Sequence, residues 1–149
     1  MIDVCFVGDD DVDLREELMT RETARRALRS YDLGAPWHNT VAVSTISLGA
    51  AVSLLNDLNW YLVRFAQDAM VRDPSISEDE WVSARLAREI RAKELPPEET
   101  DGLLKMYGVI DGRLVEPMYV HRTDGHTPRY DLRDVDTTVK CRITKAEFG

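Results

Sequence analysis

The sequence has few of the features that usually identify a function. It contains only two cysteines, Cys5 and Cys141, and both lie in apolar, strand-like segments, so they do not form a disulfide framework. It has no glycine-rich phosphate loop, no nucleophile elbow, and no cysteine or histidine pair at zinc spacing. Internal repeats and low-complexity segments are also missing. No signature of this kind decides between an enzyme and a binding module.

Lysine is scarce and acidic residues are in excess. The chain has 19 lysine and arginine residues, only four of them lysine, against 27 aspartate and glutamate residues, which gives a formal charge of −8. Because nucleic-acid binding needs a basic surface, this balance argues against a nucleic-acid partner. An acidic, arginine-biased surface suits a salty cytoplasm, where charge repulsion is screened. The alternative is a high-GC genome, which favours arginine over lysine without selection by salt.

Long uninterrupted apolar runs are also absent. A membrane span needs about 20 predominantly apolar residues, and the most apolar stretch, residues 46–70, is interrupted by Asp57, Arg64 and Asp68. The first residues read as a strand and show no secretory signal. We therefore expect a cytoplasmic protein with no membrane partner, in which residues 1–149 form a single domain.

Residues 46–70 are predicted to form the long central helix of the protein. Apolar residues recur there every three or four positions, and Ser47 is a suitable N-cap. Pro74 is the first clear stop signal after it. We expect one face of this helix, including Leu55 and Leu62, to be buried.

The segments before this helix predict a β-α-β unit. Residues 2–7 form an apolar run typical of a buried strand, and residues 14–31 read as a helix capped by Asp13, with a possible break near Met19. Residues 40–46 alternate as a second strand. This order favours a parallel pair joined by a right-handed crossover.

The segments after the central helix predict two further helices and an antiparallel meander. Ser77 and Glu80 form a capping box, so the third helix is expected from Ser77 to about residue 94. A short fourth helix is expected between Pro97 and Gly108. Beyond it the sequence indicates turns at residues 111–112 and 124–125, with strands at residues 118–120, 129–132 and 137–144. The predicted fold class is therefore mixed α/β with α+β character.

An acidic cluster follows the first strand. Several carboxylates at the carboxyl end of a strand could hold Mg²⁺, so Asp9, Asp10 and Asp11 are a candidate metal site. The alternative is that these acids only cap the next helix and stabilise its N-terminus. Residues 4–18 resemble the start of response-regulator receiver domains, whose first strand ends in a Mg²⁺-binding acidic pair. The resemblance stops there, because the second strand leads directly into the central helix.

Two further groups are candidate binding residues. Arginines of the first helix could contact phosphate or an acidic partner, although neighbouring glutamates also suit a solvated, ion-paired face. A turn near the C-terminus carries two histidines and an aspartate, which could equally form a solvated hairpin tip. These candidate binding residues are Arg21, Arg25 and Arg29 in the first group and His121, Asp124 and His126 in the second.

The sequence leaves two function classes open. TISLGAAVSLLNDLNWYLVRFA and DDDVDLREEL, together with the arginine and aspartate bias, resemble small uncharacterised proteins of halophilic archaea, a family without known activity. The favoured hypothesis is a non-enzymatic binding or regulatory module without a cofactor, acting on a protein partner or as a homo-oligomer. Its contacts would come from the edge of the meander or from Trp37, Trp60 and Trp81, which are expected to be exposed. The alternative is a Mg²⁺-dependent, phosphate-handling or phosphoreceiver-like protein using the acidic cluster.

Overall fold

The computed structural model describes residues 1–149, which form seven strands, four helices and one short 3₁₀ turn. The strands are β1 (Ile2–Gly8), β2 (Thr40–Thr45), β3 (Ala66–Arg72), β4 (Trp81–Ser83), β5 (Leu103–Ile110), β6 (Arg113–His121) and β7 (Thr137–Arg142). The helices are α1 (Leu14–Met19), α2 (Glu22–Leu28), α3 (Leu48–Phe65) and α4 (Ala84–Arg91), and the 3₁₀ turn is Pro97–Glu99. All seven strands belong to one sheet with the order β2-β1-β3-β4-β7-β5-β6. The predicted mixed α+β class is confirmed.

The predicted parallel pairing of the first two strands is wrong. β1 is antiparallel to β2 on one side and to β3 on the other. The physical reason is the break that the sequence indicated near Met19: α1 has six residues and α2 has seven, where one helix was expected. Six residues at 1.5 Å each span only about 9 Å, so neither helix returns the chain along the sheet as a parallel crossover requires.

The central helix is shorter than predicted. α3 begins after Ser47, whose hydroxyl accepts from the Ala50 amide at 3.0 Å as expected, but it ends at Phe65. Residues 66–72 are extended instead and pair with β1 over most of its length. No proline or glycine lies at this change from helix to strand. The change results from pairing with β1, which is distant in the sequence.

The predicted third helix begins seven residues later than expected, at Ala84. Ser77 does accept from the Glu80 amide at 3.1 Å, as in a capping box, but β4 follows it. Trp81 and Val82 are buried within the sheet, and the N-cap of α4 is Ser83, which accepts from the Leu86 amide. The local capping signal was correctly recognised, but burial of this segment between β3 and β7 determines its conformation.

The predicted fourth helix and the predicted meander also need correction. Only the 3₁₀ turn follows Pro96, and Gly108 lies inside β5, where a Cβ atom would stand 2.5 Å from Val135 and 2.9 Å from Tyr130. The β5–β6 hairpin at Asp111 and Gly112 is confirmed by their positive φ angles of 50° and 75°. β7 pairs with β5 and, in parallel, with β4, so it does not continue from β6. Residues 129–132 are not a strand.

The sheet has an apolar cluster on each face. The larger one joins alternate residues of β1 to β4 with the inner sides of all four helices, including Leu55 and Leu62 of α3. The smaller one lies on the opposite face and contains both cysteines, Met70, Trp81 and Tyr107. Burial raises the pKa of the Cys5 thiol to about 12 and the pKa of Cys141 well above its ordinary value, so both are packing residues and not reactive thiolates.

Candidate functional site

A buried polar cluster lies on the sheet face that the helices do not cover. Lys105 donates to Asp68 Oδ2 at 2.6 Å, and the Tyr107 hydroxyl donates to the same oxygen. Burial and the Asp68 charge raise the pKa of Tyr107 far above its ordinary value. Burial alone would lower the pKa of Lys105, but the Asp68 carboxylate raises it. The cluster therefore holds a protonated lysine, a protonated tyrosine and an aspartate already occupied by both, which suits a structural link between β3 and β5.

A second buried network centres on Glu80. Arg142 Nε donates to Glu80 Oε1 at 2.8 Å, and Arg122 donates to its other carboxylate oxygen. Burial alone would raise the pKa of Glu80, but hydrogen bonds and charge from the two arginines lower it below its ordinary value. Arg142 also donates to Thr100 at 3.1 Å. The network connects the segment before β4 to β7 and to the residues that follow β6 and the 3₁₀ turn, and both carboxylate oxygens of Glu80 are occupied by arginines.

The aspartates of the acidic cluster after β1 do not converge on one point. Asp10 and Asp11 are exposed, while Asp9 uses backbone groups, with its amide donating to Phe65 and its carbonyl accepting from Asn39. Asp13 caps α1 by accepting from the Glu16 amide at 3.1 Å. No group of three histidine, cysteine or acidic side chains is placed to hold a metal ion. The Mg²⁺ site stays a prediction.

The three predicted arginines occupy two different places. Arg21 forms an ion pair with Glu17 at 2.8 Å and stacks over Phe65, with its guanidinium carbon 4.7 Å from the ring centroid. Arg25 and Arg29 are exposed and line a cavity of about 420 Å³ beside α2. Arg25 and Arg29 therefore line the same cavity, and Arg21 does not.

The histidine-bearing turn is a hairpin tip. Asp124 and Gly125 have φ angles of 50° and 77°, and the backbones of Thr123 and His126 bond to each other in both directions. The His121 ring packs instead against Phe148, with 4.6 Å between centroids. The two imidazoles and the Asp124 carboxylate are not assembled into one ligand set, and the predicted binding role of these residues stays a prediction.

The three tryptophans differ in exposure. Trp81 is buried, and Trp37 is half-buried against its edge with 6.1 Å between ring centroids, so the expectation that Trp81 is exposed is wrong. Trp60 on α3 remains 50% exposed. The buried position of Trp81 follows from β4, which places it in the smaller apolar cluster.

The outer sides of α3 and α4 form an exposed surface outside these networks. Val63, one helical turn from Trp60, is 72% exposed, and the Arg64 guanidinium carbon lies 3.7 Å from the centre of the Trp60 ring. Arg88 Nε donates to Asn56 Oδ1 at 3.1 Å and so fixes α4 beside α3. We call this set the Trp60 surface and define it as Trp60, Val63, Arg64, Arg85 and Arg88.

The arginines of α4 were not singled out from the sequence, although a signal was present. Arg85, Arg88 and Arg91 recur every three residues, while Leu86 and Ile90 between them are buried. This spacing places the arginines along one exposed side of a short amphipathic helix.

None of the four helices has the length and apolar content needed to cross a membrane. Neither the curated proteins nor the solved structures include a match to this chain. Residues 2–109 match a family of unknown function, DUF5804, so the match covers most of the chain and includes β1 to β5 with all four helices. The chain therefore belongs to the DUF5804 family of unknown function.

Proposed function

We propose that the protein is a non-enzymatic binding module that recognises an acidic segment of a protein partner through the Trp60 surface. The single observation that carries this proposal is the half-exposed Trp60 ring beside exposed Val63. Tryptophan and arginine are the side chains most enriched among residues that dominate interface energetics. The two titratable networks on the sheet are occupied internally, which favours binding over catalysis at those places.

The geometry of Trp60 suits a preformed contact. Arg64 donates to the Trp60 carbonyl at 2.8 Å while its guanidinium stacks on the ring, and Tyr61 meets the same ring edge-on at 5.1 Å. These contacts restrict the side-chain rotamers before a partner arrives. Less conformational entropy is then lost on binding, which increases the affinity obtained from the same contact area.

A shallow groove continues the surface toward α4. Its volume is about 230 Å³, and its lining combines the apolar Val63 and Ala84 with Arg85 and Arg88. It also contains two acids, Asp68 and Glu147, which already accept hydrogen bonds from Lys105 and Ser83. Such a groove can accept one apolar side chain of a partner. The Trp60 ring and this groove therefore offer two adjacent apolar contacts on one exposed side of the helix pair.

Charge favours an acidic partner segment. α4 carries three arginines and one glutamate, a local excess of positive charge on a protein whose formal charge is −8. Carboxylates opposite Arg85, Arg88 and Arg64 would find bidentate donors there, whereas a basic segment would be repelled locally. The buried, free cysteines Cys5 and Cys141 support the cytoplasmic location predicted from the sequence.

The experiment compares partner recovery by tagged wild-type protein, Trp60→Ala and Val63→Asp from an extract of the source organism. Ile46→Ala is the matched control, because Ile46 is 85% exposed but lies before α3, about 20 Å of helix away from Trp60. A recovered protein is then tested for direct binding as a synthetic peptide of its acidic segment. We expect Trp60→Ala to weaken that binding about 30-fold or more, since residues of this kind contribute about 2 kcal/mol or more.

Self-association is measured separately by light scattering over a concentration series. If the protein forms a dimer that Trp60→Ala dissociates and Ile46→Ala does not, the partner of the Trp60 surface is a second copy of this chain and not an acidic segment of another protein. Equal recovery of every protein by the wild type and by all three variants would refute the proposal. Far-UV circular dichroism confirms that each variant is folded.

A further inference from the structure

A polar cavity lies on the other side of the molecule, between β7 and the loop of residues 122–136. We propose that this cavity binds the phosphate group of a small phosphorylated molecule. Its volume is about 440 Å³, larger than a phosphate ion alone requires, and it opens to solvent. Loops of this length without secondary structure are uncommon in small domains and are usually functional or disordered. Ordered contacts hold this one in place.

The lining is rich in groups that bind oxyanions. Three cationic residues and three threonines line one space, supplied partly by the loop and partly by β7. These residues are Arg129, Arg133, Lys140, Thr127, Thr137 and Thr138. Guanidinium, ammonium and hydroxyl groups are donors with the charge and geometry that phosphate recognition uses.

The positive charge of the cavity is only partly neutralised. Arg129 and Lys140 form no ion pair with any acidic residue, and Arg133 meets Glu116 at 3.4 Å, with about half of each side chain exposed. Asp134 is the one acid in the lining, so with Glu116 two carboxylates oppose three cations. A local excess of positive charge persists here although the whole chain carries −8. An anionic group such as phosphate would balance it.

The loop is fixed before any ligand binds. The Tyr130 hydroxyl donates to the Glu116 carbonyl at 2.6 Å, and the Asp136 amide donates to the Val109 carbonyl at 2.8 Å. Tyr130 and Val135 also pack directly on Gly108, where only glycine leaves room for them. The anchors hold the arginine-bearing part of the loop against β5, so binding does not have to order a free loop.

One hydroxyl is oriented by its neighbour. Arg122 Nε donates to Thr127 Oγ1 at 2.9 Å, so this oxygen already accepts a hydrogen bond. Its own hydrogen remains available to donate to an anion in the cavity. Arg122 is in turn held by its ion pair with Glu80, so the Glu80 network fixes the position of the group that orients the Thr127 hydroxyl.

The size and shape of the cavity select the ligand class. A nucleic-acid backbone needs an extended basic surface, whereas this cavity is a single small patch on an acidic protein. Met106 and Tyr130 line the space beside the cations and would contact an attached organic group. The cavity beside α2 has exposed arginines but also Glu22, which already pairs with Arg26, and no hydroxyl group of threonine or serine. The cavity beside β7 is therefore the better phosphate site.

Isothermal titration calorimetry and phosphorus-31 NMR test the proposal with two probes, inorganic phosphate and phenyl phosphate, at low salt. Wild-type protein should bind both saturably, with phenyl phosphate binding more tightly because it contacts Tyr130. Arg129→Ala and Lys140→Met should each weaken phosphate binding about tenfold, the effect of losing one charge-assisted hydrogen bond. Arg113→Ala is the matched control, because Arg113 is exposed at the start of β6 and does not line the cavity.

Absence of saturable binding in the wild type would overturn the proposal, as would equal weakening by Arg113→Ala. Equal affinity for the two probes would overturn the part that concerns an attached organic group. Lys140 is half-buried, so thermal melts accompany each titration, and the exposed Arg129 provides the variant that leaves folding intact. Trp60→Ala should bind phosphate as the wild type does, which separates this site from the proposed partner surface.

Discussion

Replacing Glu80 by glutamine distinguishes two roles for one side chain. In the sequence Glu80 reads as the last residue of a capping box begun by Ser77, and in the structure its two carboxylate oxygens bind Arg122 and Arg142. A capping contact contributes about 1 kcal/mol. Removing one partner of a buried ion pair costs about 3–5 kcal/mol, because the remaining charge is left without compensation.

The magnitude follows from the burial of the three groups. The side chain of Glu80 is 12% exposed, and those of Arg122 and Arg142 are 11% and 12% exposed, so water cannot replace the lost carboxylate. Glu80→Gln should therefore lower the free energy of unfolding by about 3–5 kcal/mol at neutral pH. Ser77→Ala, which removes only the hydroxyl that accepts from the Glu80 amide, should cost about 1 kcal/mol.

Urea unfolding of the wild type and of both variants provides the measurement, followed by circular dichroism from about pH 7 down to about pH 2. Because the folded-state pKa of Glu80 lies below its ordinary value of 4.5, its contribution is complete above 4.5 and is lost as the pH falls through the folded-state pKa. The difference between wild type and Glu80→Gln should shrink on acidification. The difference for Ser77→Ala should change little over the same range.

Two results would refute this reasoning. Equal costs for Ser77→Ala and Glu80→Gln would mean that the carboxylate acts only as a local cap. A cost of Glu80→Gln that does not depend on pH would mean that its charge is not involved. Glu22→Gln is the control for charge removal in general, because the Glu22–Arg26 pair is exposed and should contribute about 0.5 kcal/mol or less.

Two further predictions test the core helix and the acidic cluster. Leu55→Ala should lower the free energy of unfolding by about 2–5 kcal/mol, because Leu55 is fully buried in the larger apolar cluster. Ser53 is exposed on the same helix, so Ser53→Ala should change this free energy by less than about 0.5 kcal/mol. Urea unfolding measures both effects, and equal effects would contradict the placement of α3. If the acidic cluster holds Mg²⁺, calorimetry should show saturable binding that Asp9→Asn combined with Asp10→Asn abolishes, and unchanged binding in that double variant would exclude the site.

Local signals were predicted correctly where neighbouring residues make the contacts. Asp13 and Ser47 cap their helices as expected, because a cap is a hydrogen bond to an amide three residues away. Asp111 and Gly112 form the expected hairpin turn, since their backbone preferences determine it. The alternating last strand has Val139, Cys141 and Ile143 buried, as its period of two requires.

Candidate sites were harder to predict because they depend on residues far apart in the chain. Glu80 lies 42 residues from Arg122 and 62 from Arg142, and Lys105 lies 37 residues from Asp68. No spacing rule connects such positions. The cavity beside β7 likewise needs the loop to be anchored on Gly108, and sequence reasoning assigned Gly108 to the end of a helix.

The sequence alone determined the fold class, the buried face of α3, the N-caps of α1 and α3 and the β5–β6 hairpin, because each depends on a short periodic pattern or on contacts within a few residues. Tertiary structure decided that residues 66–72 and 81–83 are strands, that β1 has antiparallel neighbours, and that β7 lies between β4 and β5. In these segments local propensity was ambiguous or favoured a helix. Pairing with distant strands and burial in the sheet outweighed it, and the same long-range packing brought together the buried networks, the Trp60 surface and the cavity beside β7.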